Sequence, residues 1–474
     1  MMQENHVGRE PVQGSDLSTV ASILCRFGRE RVLSKQDGTQ ATSLEPPANS
    51  DPATWKTYWK NQGQPWRTEP EIDAERQKYL AERLNIIPII EKGIYPFKDI
   101  KLCRPDIEWL LANHEEGRGP IDWSDERQRE RLGLDLRGAD LRGIDLNHLP
   151  LARIQAGLAT RDWWNATNQE RSEAGAHLEE AILDWAHLEG ASFRWAYLEG
   201  THFFGAYMQE ARLRGATLSG AVLRRAHLEG ASLCWAYVGG KLIPKKLPSA
   251  NFTGAFFDTT THLDGIILGD EQLGVISLVD VSWGNVNLAV IDWAPVKMLG
   301  DEHNAYYQEW QDRAGKDKNR LIRGFQAAVR ANRQLAIALE AQGLNEEASR
   351  FAYRAQKLQG RVARRQGKYG QYLFSFFLDL LAGYGYRPRR SILWYFIIIL
   401  GFAAAYFVFG HLPLLPDALV FSLTSFHGRG FFPGLGNETS LQNPLVVLAA
   451  VEAVVGLLIE ISFIATFTQR FFGK

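Results

Sequence analysis

The chain has 474 residues, 45% hydrophobic and 23% charged, and its 53 Lys and Arg against 54 Asp and Glu leave a formal net charge of −1. That length predicts two to four domains, and the near-neutral balance argues against a general nucleic-acid binder. Three cysteines at scattered spacing, Cys25, Cys103 and Cys234, argue against a disulfide framework and a zinc site. In chain order, residues 1–55 are polar, with Glu45-Pro-Pro-Ala-Asn-Ser-Asp-Pro52, and predict a disordered N-terminus. The opening Met-Met-Gln-Glu-Asn-His lacks the basic start and apolar core of a signal peptide. Residues 56–130 predict a small helical cap with helices over Glu71 to Leu84 and Pro105 to Leu111. No nucleophile motif, phosphate loop or metal spacing occurs in this cap, so neither an enzyme nor a cofactor is expected.

From Ala176 to Val238 the chain repeats every five residues. A large apolar residue recurs from Leu178, Leu183, Leu188 and Phe193 through to Val238, and a small one two positions earlier, from Ala176 to Ala236, with Thr201 the one exception. A period of five fits neither the helix at 3.6 nor the strand at 2.0. It fits a coil that turns a corner once per unit with the small and the large residue pointing inward. Earlier units stand at Leu136, Leu141, Leu146 and Leu151 and later ones at Phe252 and Phe257. After a one-residue shift the period resumes at Leu263, Leu268, Leu273, Leu278, Trp283, Leu288 and Trp293.

This pattern resembles the pentapeptide-repeat family, and the resemblance implies a right-handed four-sided β-helix over residues 131–298 with four units per coil. The block Ala186-His-Leu-Glu-Gly-Ala-Ser192 recurs verbatim at Ala226 to Ser232, two whole coils later in that geometry. Tyr197, Thr217 and Tyr237 are then expected to stack, as are His187, Tyr207 and His227. The histidines are read as a solvated ladder, since metal constellations need at least three convergent groups. Arg153 to Gly175, holding Trp163-Trp164, breaks the period and predicts a loop or short helix inserted in an early coil.

Residues 302–370 predict a helical hairpin, one arm from Lys316 to Gln342, stopped by Gly343, and the other from Asn345 to about Arg365. It resembles a tetratricopeptide-type hairpin, which must pack on the rod, on another subunit, or on both. Residues 371–387, rich in Leu and Phe, predict an interfacial helix along the inner leaflet.

Residues 388–474 hold two apolar spans, Ile392 to Phe409 and Leu445 to Phe467, each long enough to cross a hydrocarbon core of roughly 30 Å. Between them, Leu415-Pro-Asp-Ala-Leu-Val-Phe-Ser predicts an apolar half-helix opened by Pro416 and Asp417 and followed by Gly428-Arg429-Gly430. It is too short to cross, so it should dip in and return. Basic residues Arg387, Arg389, Arg390, Arg470 and Lys474 flank the spans while the hairpin has only Arg429, which predicts a multi-pass inner-membrane protein with both termini cytoplasmic. Arrangement and spacing resemble the two-transmembrane, potassium-channel-like family.

The resemblance implies a homotetramer around a filter built from Thr424, Ser425, Phe426, His427, Gly428, Arg429 and Gly430, with Gly456 as inner-helix hinge and Glu452 packed structurally behind the filter. His427 and Arg429 replace the family's valine and tyrosine. Glu460 departs from the family's apolar residue and, lacking an obvious partner in its own subunit, is expected to line a water-filled inner cavity. The whole chain thus reads as a mixed fold: a right-handed quadrilateral β-helix, a helical hairpin linker and a two-helix transmembrane pore domain with a re-entrant pore loop. Its expected partners are membrane lipid, monovalent ions and a cytoplasmic protein on the rod, with no nucleic acid. A weakly selective cation pore is the leading expectation and an anion pore its competitor. A membrane-anchored scaffold that conducts no ions is the alternative, while a DNA mimic is disfavoured by seven acidic against five arginine side chains over Ala176 to Gly240.

Overall fold

Four-unit coils make the repeat rod a ladder whose rungs are one residue wide. A computed structural model of the chain describes residues 46–47, 51–240, 248–269, 275–312, 317–409, 415–428 and 444–471, so the expectation for residues 1–45 and 48–50 lies outside the described residues. In the regular coils each residue before a large apolar one bridges in parallel to its counterpart twenty positions on, as in Tyr197 to Thr217 to Tyr237 and His187 to Tyr207 to His227. Both the small and the large residue of each unit are buried, from Ala176 and Leu178 to Ala236 and Val238. Because the chain turns a corner after every bridge, the described rod is a column of isolated bridges and contains no continuous strand.

The corner residue two positions after each large one takes a left-handed φ near +60°, at glycines such as Gly190 and Gly200 but also at Trp185, Trp195 and Trp235. Tryptophan at a corner then lies on the glycine at the same corner of the following coil. A Cβ on Gly205 would stand 2.7 Å from the Trp185 ring, so Gly205 answers both the dihedral and the space.

The insert in the first coil consists of two short helices, α5 (Thr160–Trp163) and α6 (Asn168–Ala174). It stretches the offset from Asp140 to His177 to 37 positions without breaking the ladder.

Both open ends of the rod are covered, as an unpaired ladder edge requires. At the first coil, Lys101 bridges to Asp140, and the Leu102 N–H donates to the Asp140 carbonyl at 3.1 Å. The cap carrying this edge contains α1 (Pro52–Asn61), α2 (Ala74–Leu84), α3 (Arg104–Ala112) and a short turn α4 (His114–Gly117). Helix α1 starts ahead of the expected boundary because Asp51 caps it, and α2 starts at Ala74 and not Glu71 because Asp73 accepts from the Arg76 N–H at 2.8 Å.

At the far end three helices follow: α7 (Gly300–Gln311), absent from the sequence expectation, then α8 (Lys318–Ala341) and α9 (Asn345–Arg365), the hairpin. Gln334 Oε1 accepts from the Asp280 N–H at 2.9 Å, while the Gln342 amide accepts from the Leu288 N–H at 2.7 Å and donates to the Val286 carbonyl at 2.6 Å. These side-chain amides take the place of the next backbone rung. Leu335, Leu339 and Phe351 continue the rod's core past Leu288 and Trp293, so the hairpin packs on the rod of its own chain.

Candidate functional site: the C-terminal hairpin

Helix α10 (Tyr369–Ala382) joins the rod and hairpin to α11 (Pro388–Phe409), α12 (Leu415–Phe426) and α13 (Pro444–Phe471). It begins and ends earlier than the sequence suggests, because Gly383 takes a left-handed φ and stops it. Leu373, Phe374 and Phe376 on it are exposed. Asp379 is a junction of three elements: it accepts from Tyr353 Oη on α9 at 2.7 Å and from Arg390 Nη1 on α11 at 3.3 Å. The Arg387 guanidinium lies 4.4 Å from the Tyr353 ring centre.

Arg389–Phe409 and Leu445–Ile464 are long and apolar enough to cross a membrane, each with mean hydropathy 2.4, and only 17% and 22% of their residues are buried within the chain. The rest of their surface, including Phe396, Leu400, Val454 and Leu457, has no cover from the described residues. Helix α12 runs antiparallel to α11 and parallel to α13. Near its start Ala418 and Phe421 cluster with Tyr406 and Ala449, and at its end Phe426 clusters with Ile399 and Ile459. Its last residues thus lie three to four turns along α13 from Pro444.

Glu452 is fully buried and holds the three helices together. Tyr406 Oη on α11 donates to it at 2.7 Å, and Ser422 Oγ on α12 donates to its other oxygen, with the Ile399 carbonyl 2.9 Å from the same hydroxyl. A buried carboxylate with two hydroxyl donors is a packing node, not an open charge. At Gly456 a Cβ would overlap the Phe426 carbonyl oxygen, so the glycine permits close approach of α12 to α13 and need not act as a hinge.

Thr424, Ser425 and Phe426 are the last turn of α12, not an extended filter, and Thr424 Oγ1 donates back to the Phe421 carbonyl at 2.9 Å. Gly428, at φ +63°, ends the helix, its N–H donating to the Ser425 carbonyl at 3.0 Å. The expectation that Glu460 lacks a partner in its own subunit is corrected: His427 Nδ1 pairs with Glu460, and His427 Nε2 lies 3.2 Å from Tyr395 Oη. The pairing arises because α12 ends beside the second half of α13, a juxtaposition that 33 residues of sequence separation conceals. Arg429 and Gly430 lie outside the described residues. Tyr395, Tyr406 and Ser422 were not anticipated, although a hydroxyl in an apolar span is itself a signal, since it needs a partner there.

Cys103 and Cys234 are free thiols, and among the described residues no group of three His, Cys, Asp or Glu side chains could hold a metal ion. On the rod, His187 stacks on Tyr207 at 4.7 Å between ring centres and Tyr207 on His227 at 5.3 Å. Each histidine Nδ1 meets the glutamate two residues on, and the Glu189 carboxylate holds the His187 imidazole above its ordinary pKa.

Residues 174–203 and 201–237 match the family model for Pentapeptide repeats, in eight copies. Among solved structures the chain is similar to a pentapeptide repeat protein from the Arabidopsis thaliana thylakoid lumen, at 23% identity over 31% of this chain and 69% of that one, with a TM-score of 0.13. It is also similar to QnrB1, a plasmid-mediated fluoroquinolone resistance protein, at 18% identity over 39% and 86% of the two chains and TM-score 0.17. A third is HetL, a pentapeptide repeat protein from the cyanobacterium Nostoc sp. strain PCC 7120, at 17% identity, 34% and 90% coverage and TM-score 0.11. Scores this low carry no argument, so the repeat assignment rests on the family match and the bridge geometry. No curated protein matches the chain. The class is thereby defined as a pentapeptide-repeat protein. In this chain the repeats are joined, through a helical hairpin, to two helices fit to cross a membrane.

Proposed function

We propose that the chain is one subunit of a homotetrameric membrane ion pore, with the repeat rod as its cytoplasmic regulatory or assembly domain and both termini on the cytoplasmic side of the inner membrane. The observation that carries this reading is the depth at which α12 ends. Phe426 lies beside Gly456 while α13 starts at Pro444, so α12 ends about 18 Å along α13 at 1.5 Å per residue. The open carbonyls of a helix that ends at such a depth are tolerated only against protein or water. A plain two-helix anchor has no use for a helix end placed there, whereas copies arranged around an axis give it a wet face to line.

Charge favours cations. The carbonyl end of α12 and the Glu460 carboxylate converge at the same depth, and both attract positive ions. Lipid covers the exposed apolar faces of α10, α11 and α13, and neighbouring subunits cover the rest. The test is reconstitution of the purified protein into liposomes, with reversal potentials read in a KCl gradient. A shift toward the potassium potential is expected. A shift toward the chloride potential overturns the cation assignment, and sealed vesicles holding correctly inserted protein but passing no current overturn the pore and leave the scaffold.

A further inference from the structure

The four faces of the rod divide its charge unequally. Over Ala176 to Gly240 the seven acidic residues all fall on three faces, while the fourth, the face of Ser192, Arg212 and Ser232, carries Arg194, Arg212 and Arg214 and no carboxylate. Arg194 and Arg214 hold equivalent positions on adjacent coils, about 4.8 Å apart along the ladder. Like charges placed directly opposite on neighbouring strands repel. Among the described residues none of the three makes an ion pair, and Glu210, around the corner, is the only carboxylate whose charge reaches Arg212.

The insert borders this face. Arg194, 7% exposed, is held from behind by neutral groups only, donating to the Leu158 carbonyl at 3.1 Å and to Thr160 Oγ1 at 2.8 Å. The Arg214 guanidinium lies 5.1 Å from the Trp164 ring and 5.7 Å from the Trp163 ring. Burial, and then the charges of Arg212 and Arg214, bring the Arg194 guanidinium down to about 10. Three guanidiniums gathered without an ion-pair partner among the described residues, one of them desolvated, are an arrangement that an anion relieves. Guanidinium forks match phosphate oxygens in geometry as well as charge.

We propose that Arg212 and Arg214, backed by Arg194, bind the phosphate of a small phosphorylated molecule on this face of the rod. Arg212 and Arg214, both half-buried, make the direct contacts, while Arg194 supplies field from behind because its own donors are engaged. Seating beside the insert limits the ligand to a small anion. The site stands on the rod alone and holds whether or not the membrane part conducts.

The probe is sodium pyrophosphate, titrated calorimetrically into the full-length protein in detergent with ionic strength held constant by chloride. Saturable binding of one pyrophosphate per chain is expected, weakened at least tenfold in Arg212→Gln and in Arg214→Gln and unchanged in Arg225→Gln, whose unit lies on the opposite face. The melting transition of each variant is read alongside, and either arginine variant suffices if the other does not fold. No saturable heat with the wild type, or wild-type affinity in folded Arg212→Gln and Arg214→Gln, overturns the proposal. Arg212-dependent binding of a single-stranded oligonucleotide without binding of pyrophosphate also overturns it, making the face a nucleic-acid surface.

Discussion

At the scale of single residues the rod leaves no slack. Leu198 is fully buried in the apolar core of the rod. Leu198→Lys places an ammonium there without a partner, and an unpaired buried charge belongs to the few changes that cost more than about 4 kcal/mol. The expected outcome is loss of the cooperative melting transition and of the β-type circular dichroism of the rod; a variant melting like the parent would put Leu198 on the outside. Asp301, at the start of α7, gives a pH-dependent counterpart. It accepts from the Leu278 N–H at 2.7 Å, and burial pushes its carboxyl from 3.8 up to about 6. An acid whose folded pKa is raised adds stability that is fully present below the unfolded value and lost as pH rises through the folded one. At about 1.36 kcal/mol per unit the swing is on the order of 3 kcal/mol. Relative to Asp301→Asn, which does not titrate, the wild type is expected to lose stability between pH 4 and 7.5 in denaturant titrations. A flat difference, or one of opposite sign, refutes the assignment.

At the scale of elements, the sequence was most legible where a period is enforced by sterics and least where contacts join distant segments. The five-residue rhythm located the coils residue by residue, because every unit must bury its Ala and Leu pair. It even implied the stacks, since identical offsets place Tyr197 on Thr217. Helix α7 escaped notice because its sequence, Gly-Asp-Glu-His-Asn-Ala-Tyr-Tyr-Gln-Glu-Trp-Gln, has no clear apolar stripe and is held by Arg354 pairing with Glu302 at 2.8 Å from α9. In the hairpin the half-helix was readable from Pro416 and Asp417, whereas the partners of Glu452 and Glu460 were not, since Tyr406, Ser422 and His427 approach them only through tertiary packing. Gly456 tests that packing. Gly456→Ala drives a methyl into the Phe426 carbonyl, and overpacking of this kind costs typically 1–3 kcal/mol. It should lower the melting temperature in detergent and reduce conductance together, whereas a pure hinge role would alter open probability and leave melting unchanged. Glu460→Gln keeps a hydrogen-bond acceptor for His427 but removes the charge, so conductance for cations should fall with melting preserved; unchanged conductance would remove Glu460 from the ion path.

At the scale of the whole molecule, the question is where the rod ends as a folding unit. The five-residue pattern stops near Trp293, which suggests that residues 56–300 are self-sufficient. The helices beyond argue otherwise. Gln334 and Gln342 supply the last rung, Arg350 donates to the Trp293 carbonyl, and Leu335, Leu339 and Phe351 cover the apolar end of the core. Cutting at residue 300 uncovers that apolar end together with unpaired N–H groups of the last coil, the edge that invites pairing with another chain. A fragment of residues 51–300 is therefore expected to be β-rich but to self-associate, in sedimentation, through its exposed end. A fragment of residues 51–368 keeps α8 and α9 and stops before the exposed Leu and Phe side chains of α10, so it should sediment as a monomer with a higher melting temperature. Equal stability and a monomeric state for both would show that the hairpin only rests on the rod. A requirement for residues beyond 368 would instead make the apolar C-terminal helices part of the fold of the rod and hairpin, coupled to them through the Asp379 junction between Tyr353 and Arg390.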